Sequence, residues 1–381
     1  MRLAITVVVA TLLVGLAARG VTPQEAPSSG WNQEGAAKYL DERMDAWFAH
    51  AKKLRTGQGE TICISCHTAV PYALARPALR RSMHVKTATA QEVRLLEGVT
   101  RRVETYDSHE VFYDSSERKA SQSRGTEAVL NAVVLASADA EHDRRGLSAP
   151  TRKALRRLWE TQRPDGTWDW LDFGLEPFES TDAAYYGATL AALAVGTAAA
   201  VSTSPPADAT AGVDRLRGYL REKYDSQSLF NRVSLLLAST RLKNLLTGPQ
   251  REALLAEIQR GQQPDGGWSL QALGPWRSSK AARFWVASLF AKADGYATGL
   301  IVYTLRQAGL PADHPAVRKG RQWLKAHQQG VQVGQRMDPA WRSYSLNVDR
   351  EHGEERGEPW RRLFMSDAAT AFAILALVES D

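Results

Sequence analysis

The sequence predicts an all-α chain folded as a closed double ring of six helical hairpins, an (α/α)6 toroid. Three observations carry that expectation. A ten-residue corner recurs, as TQRPDGTWDW at 161–170 and GQQPDGGWSL at 261–270, so that Gln162, Pro164, Asp165, Gly166 and Trp168 realign with Gln262, Pro264, Asp265, Gly266 and Trp268. Self-similarity of this kind marks stacked supersecondary units. Helical segments also alternate in character: an amphipathic, charged one precedes one that is apolar on nearly every face, as an outer helix precedes a buried inner one. Finally, the chain divides into six such pairs, enough to close a ring.

In chain order the pairs are 33–55 with 66–80, 89–105 with 125–139, 149–162 with 181–200, 212–223 with 228–244, 249–261 with 294–309, and 315–328 with 367–379. Pro-Asp-Gly stops a helix at a fixed point, because proline fixes φ and glycine accepts a positive φ. The glutamine and tryptophan of each corner then pin neighbouring helix ends, a structural role. A third, eroded copy follows KGRQWLKAHQQ, with Trp341 and then MSDAATAFAILALVES. Long loops at 107–123, 168–180, 268–293 and 330–365 carry many aromatic side chains and gather at one rim. Loops of this length in a compact domain are usually functional.

The chain opens MRLAITVVVATLLVGLAARG, with Arg2 before an apolar run and small residues at Ala17, Ala18 and Gly20. Residues 1–20 therefore read as a secretory signal peptide, 21–30 as a linker and 31–381 as a single toroid domain. The expected location is periplasmic or otherwise exported, with no transmembrane span after cleavage. The formal net charge is +6. Its basic residues are scattered over the polar faces of amphipathic helices and do not interleave with aromatics, so nucleic acid is not an expected partner.

The two cysteines form Cys63-Ile64-Ser65-Cys66-His67, the spacing of covalent c-type haem attachment. The expectation is one haem c, with thioethers at Cys63 and Cys66 and His67 on the iron. A Cys63–Cys66 disulfide and a partial metal site stand as alternatives. His109 or Met365 are the candidate sixth ligands, and the position could also be open. The pentapeptide stands where the first inner helix begins. Glu127, Asp182, Asp294 and Asp367 hold the equivalent place in other hairpins, with Asn231 in the fourth. Those acids are candidates for a catalytic polar ring at a cavity mouth. Their plainer reading is capping of helix N-termini, where carboxylates meet free backbone donors and the helix dipole. The same dipole would lower a cysteine's pKa.

The Gln-x-x-Asp-Gly-x-Trp units resemble the QW repeats of the squalene–hopene cyclase and protein prenyltransferase superfamily. Two good copies and one poor one span about the last 230 residues. The resemblance implies the toroid fold. It does not carry the chemistry over intact. Glu179-Ser180-Thr181-Asp182-Ala183 lacks the central aspartate of the cyclase acid motif, Thr370 stands where a prenyltransferase would place its zinc histidine after Asp367, and the thioester of complement-like toroids is absent. The function expected on this footing is an exported c-type haem protein acting in periplasmic electron transfer or in oxidation of an apolar, isoprenoid-like ligand, with a periplasmic redox partner. The rivals are a haem-free terpenoid cyclase or isomerase using the rim carboxylates, and a non-catalytic binding scaffold.

Overall fold

The computed structural model describes residues 30–56, 59–106, 110–142, 146–202, 209–277, 291–347 and 363–378. The expected signal peptide and nearly all of the linker lie outside the described residues, as does His109. Six helix pairs follow one another: α1 Gln33–His50 with α2 Ala69–Ser82, α3 Ala90–Glu104 with α4 Glu117–Glu141, α5 Ala149–Glu160 with α6 Ala183–Val201, α7 Ala209–Glu222 with α8 Leu229–Ser239, α9 Gly248–Arg260 with α10 Gly295–Gln307, and α11 Pro315–Ala326 with α12 Phe364–Val378.

The even-numbered helices form the inner ring. In order, α2, α4, α6, α8, α10 and α12 each pack on the next, and α12 packs back on α2. That last contact closes the (α/α)6 toroid. Burial follows the pattern of apolar residues. α12 is buried from Met365 to Leu377, whereas outer helix α9 buries only Leu254 and Ile258. Helix α6 is long and apolar enough to cross a membrane, contrary to the expectation that no later segment is, but here it packs between α4 and α8.

The repeated corners work alike. Trp168, Trp268 and Trp341 are each buried, and each indole Nε1 donates to a carbonyl near the end of the preceding outer helix: Leu158, Ile258 and Leu324, at 2.8, 2.8 and 2.7 Å. Gln162 Nε2 reaches the Gly212 carbonyl of α7 at 3.0 Å, and Gln262 Nε2 reaches that of Ala316 in α11 at 2.9 Å. In the eroded copy Gln328 takes the role and donates to the Asn32 carbonyl at 2.8 Å, just ahead of α1. The third corner thus ties the last hairpin to the first. Gly166 and Gly266 have φ of +91° and +96°, a region that only glycine enters without strain.

Some boundaries differ from the sequence reading. Helix α4 starts at Glu117, with Ser116 capping the Lys119 amide, so the end of the expected 107–123 loop is helical. A Ser-Glu start overrides the polar composition of the segment. The chain after α1 forms a hairpin, β1 Lys53–Thr56 antiparallel to β2 Gly59–Ile62, and a second joins β3 Val331–Val333 to β4 Arg336–Asp338.

Aromatic rings fill the middle of the ring: Phe178, Tyr186, Phe230, Tyr296 and Phe372 lie in a chain of contacts 5.5–6.2 Å apart. The apolar cavity enclosed there by Val70, Leu74, Tyr186, Leu237, Leu300 and Phe372 measures about 20 Å³. That is room for about one water molecule. An isoprenoid does not fit this cavity.

Candidate functional site

The cysteine segment runs from β2 into α2. The Cys63 amide donates to the Lys52 carbonyl at 2.9 Å, and Trp47 Nε1 donates to the Cys63 carbonyl at 2.8 Å. Ser65 Oγ accepts from the amides of Thr68 and Ala69 at 3.2 and 3.0 Å, and so starts the helix. Cys63 and Cys66 are both buried free thiols. Burial pushes the Cys63 thiol up to about 12, and Glu179 and Glu127 add to the rise. Cys66 is raised by the same cause. The helix dipole was expected to favour thiolates here, but loss of hydration dominates.

His67 is positioned by a relay. Its ring stacks on Phe364 with centroids 3.7 Å apart and meets the edge of Trp47 at 5.2 Å. Met365, a candidate iron ligand, is buried in the core next to that phenylalanine. Thr68 Oγ1 gives its one proton to Asp367 Oδ2 at 2.7 Å, so it can only accept from His67 Nδ1, 2.9 Å away. The proton therefore sits on Nδ1, and in the neutral ring the lone pair is on Nε2.

The rim acids divide into two kinds. Asp367 is a brace. It accepts from Arg43 Nε and Nη2 at 2.7 and 3.1 Å, from the Tyr39 hydroxyl at 3.0 Å and from Thr68. Glu127 lies well inside α4 and accepts from Arg102 Nε and Nη2, so it caps nothing. Asp294 does cap α10, accepting from the amides of Tyr296 and Ala297 at 2.9 and 3.1 Å, and also from Ser343 Oγ at 2.8 Å. Burial pushes all three carboxyls up. Asp182 differs. It stands at the N-cap of α6 without a capping hydrogen bond. Its side chain is 39% exposed, with Arg277 Nε 3.5 Å away. Asp182 also lines a crevice with Glu176, Phe230, Asn231 and Trp276.

Sequence reasoning met Glu179 only as the first residue of the incomplete cyclase acid motif and gave it no role. The loop before α6 turns back on itself: Glu179 N donates to the Leu175 carbonyl at 2.8 Å, and Leu175 N returns a bond to the Glu179 carbonyl at 2.9 Å. The residue is half-buried, and among the described residues its carboxylate has no hydrogen-bond or ion-pair partner. Desolvation pushes the carboxyl up to about 7, opposed by Lys119. It lies close enough to raise both Cys63 and Cys66. The one signal in sequence was its place three residues ahead of Asp182, and nothing local reveals its desolvation.

Among the described residues, no group of three or more histidine, cysteine or acidic side chains is arranged to hold a metal ion. This corrects the expected metal-binding character, which rested on the cysteine segment and included a partial metal site there.

No protein-family model matches the chain, and no curated protein matches it. Solved structures do. An inactive variant of the alpha-1,6-mannanase GH76A of Salegentibacter sp. HEL1_6, in complex with alpha-1,6-mannotetrose, aligns with a TM-score of 0.52 at 10% identity, over 91% of this chain and 100% of that one. A second inactive variant of the same enzyme, with alpha-1,6-mannotriose, aligns with a TM-score of 0.49 at 10% identity over the same shares. The likeness is one of fold. It corrects the resemblance to squalene–hopene cyclases and prenyltransferases with a haem motif, and with it the expected role in periplasmic electron transfer or oxidation of an isoprenoid-like ligand. The physical reason lies in the corners: the glutamines and tryptophans brace helix ends, as a closed ring requires, and touch no reacting group. The rival cyclase reading fares no better, since Glu127, Asp294 and Asp367 are committed to braces and caps.

Proposed function

We propose that the rim around Glu179 and Asp182 is a glycoside-hydrolysing site, with Glu179 as general acid and Asp182 as the second carboxylate. The observation that carries this reading is Glu179 itself, a desolvated carboxyl without a partner that titrates at about 7. A general acid works best when its pKa lies near the working pH, and glycoside hydrolysis pairs such an acid with a second carboxylate. Glu179 would give its proton to the leaving glycosidic oxygen. Asp182, exposed and free of capping duty, would serve the anomeric carbon.

The mannanase's name supports the substrate class, an alpha-1,6-linked mannan. Two neighbouring aspartates were replaced to inactivate that enzyme. This chain has no two consecutive aspartates, so the proposed pair is spaced differently, with two residues between its members. The test is release of reducing ends from alpha-1,6-mannan. Glu179→Gln should lower kcat by about 10²–10⁴, and the rate should fall as pH rises through about 7, where the acid loses its proton. An unchanged rate in Glu179→Gln rejects the assignment of the acid. No cleavage of any alpha-linked mannan by the intact protein rejects the reading.

The cofactor is a separate proposal that assigns no electron-transfer role. The spacing of Cys63, Cys66 and His67 is that of one haem c, and the two thiols are free, but all three residues are buried and His67 is stacked on Phe364, so the segment would have to open to take the group. When bound it would supply an iron centre beside this rim. Mass spectrometry of protein exported from a host that matures c-type cytochromes decides it: an unmodified mass rejects the haem. The same measurement reads whether residues 1–20 have been removed, as the proposed export requires.

A further inference from the structure

A groove lies at the end of the toroid opposite the Glu179 rim, where inner helices α8 and α10 finish and outer helix α9 begins. It measures about 360 Å³ and is lined by Ser239, Thr240, Lys243, Asn244, Arg251 and Gln307, with Ala308 and two leucines. Pockets that take a small ligand run from about 300 to 1,000 Å³, so the groove is large enough for one. Lys243 and Arg251 bring charge to it, and no acidic side chain lines it. Two more cations brace its walls: Arg221 Nη2 donates to the Asn244 carbonyl, and Arg241 Nη2 donates to Gln307 Oε1 at 3.1 Å. Among the described residues none of these four cations makes an ion pair.

Part of this charge serves the fold. Arg251 Nη2 donates to the carbonyl of Ala308, which ends α10, and cations are favoured at helix C-termini. Lys243 and the Asn244 side chain have no such duty. Both residues are exposed, and among the described residues neither side chain has a hydrogen-bond or ion-pair partner. Ser239 Oγ and Thr240 Oγ1 give their protons to the Leu236 and Leu237 carbonyls, both at 2.7 Å, so toward a ligand they can only accept. Two positive charges without an acid match a phosphomonoester, which carries about −1.5 to −2 at pH 7. A carboxylate would leave one of them unmatched. Hydroxyl oxygens that can only accept call for hydroxyl donors on the body of the ligand.

We propose that this groove binds a phosphorylated polyol or sugar, its phosphate on Lys243, Asn244 and Arg251 and its hydroxyls on Ser239 and Thr240. Nothing in this assignment depends on the Glu179 reading.

Glucose 6-phosphate is the probe, titrated into the full chain in a calorimeter, and it should bind saturably at one site. Glucose lacks the charge, glucuronate carries only one, and inorganic phosphate lacks the polyol. Each should bind about tenfold more weakly or worse. Lys243→Met should weaken glucose 6-phosphate by about tenfold and leave the thermal midpoint unchanged, because that ammonium holds nothing in the fold. Lys86→Met, at an exposed lysine just after α2, should leave binding unchanged. The absence of saturable heat overturns the proposal. So does inorganic phosphate binding as tightly as glucose 6-phosphate, an affinity that Lys243→Met leaves as it was, or an equal loss in Lys86→Met. Binding to phosphatidylglycerol vesicles without binding to glucose 6-phosphate would also overturn it, and would give the groove to a membrane surface.

Discussion

Asp367 and Glu179 are two acids near the same end of the toroid, and they teach opposite lessons. Asp367 is 1% exposed and is met by a guanidinium, a phenol and a hydroxyl. Glu179 is half-buried, and the one opposing cation is Lys119, acting at a distance. Burial raises both carboxyls. For Asp367 the Arg43 pair pulls back against that rise, and the ionised form becomes a strut between α1, α2 and α12. Glu179 has no such pair, and its proton stays within reach of neutral pH. A buried acid with a dedicated cation holds a fold together. One without is free to exchange a proton.

The sharpest way to break this contrast is Asp367→Ala. It strands Arg43 as an uncompensated buried charge and should cost about 3–5 kcal/mol in denaturant unfolding. The double variant Asp367→Leu with Arg43→Met should recover most of that, since paired removal leaves no orphan. A loss below about 1 kcal/mol in the single variant would mean the pair is no brace.

Thr68→Val tests the relay at intermediate size. It removes the group between His67 and Asp367, and should cost about 1–2 kcal/mol. Nitrogen chemical shifts of His67 should move away from a single Nδ1–H tautomer. If they stay put, something other than Asp367 sets the ring.

The smallest effect belongs to Glu179→Gln, and it has the opposite sign. The folded carboxyl titrates at about 7, above the value near 4.3 of an unfolded chain. The folded state therefore holds the extra proton, and the stability it contributes is present at low pH and lost as pH rises through about 7. Glutamine removes that dependence. The variant should match the parent near pH 4 and exceed it above pH 7, by about 1 kcal/mol once solvent screening of a half-exposed group is allowed for. Thermal melts across that range check the sign, and a variant less stable at high pH would place Glu179 among the braces.

Much of the architecture was legible before any coordinates. Pro164-Asp165-Gly166 and its copy are local turn chemistry, and alternation of amphipathic and apolar helices is a property of neighbouring residues. The site was legible in part. Asp182 was chosen for its place at the start of an inner helix. The same rule chose Glu127, Asp294 and Asp367, which turned out to be two braces and a cap. Their partners Arg102, Ser343 and Arg43 sit 25, 49 and 324 residues away in the chain, and no local pattern announces a contact at that distance. Glu179 was hidden for the complementary reason: what matters is the partner it lacks.

The sequence by itself determined the six hairpins, the tryptophan corners and the nearness of two thiols to a histidine, because each depends on residues a few positions apart. Only the tertiary structure decided which end of the chain each corner pins, which carboxylates are neutralised and which keeps its proton. Those outcomes depend on desolvation and on charges brought together by ring closure, and neither exists until α12 has packed against α2.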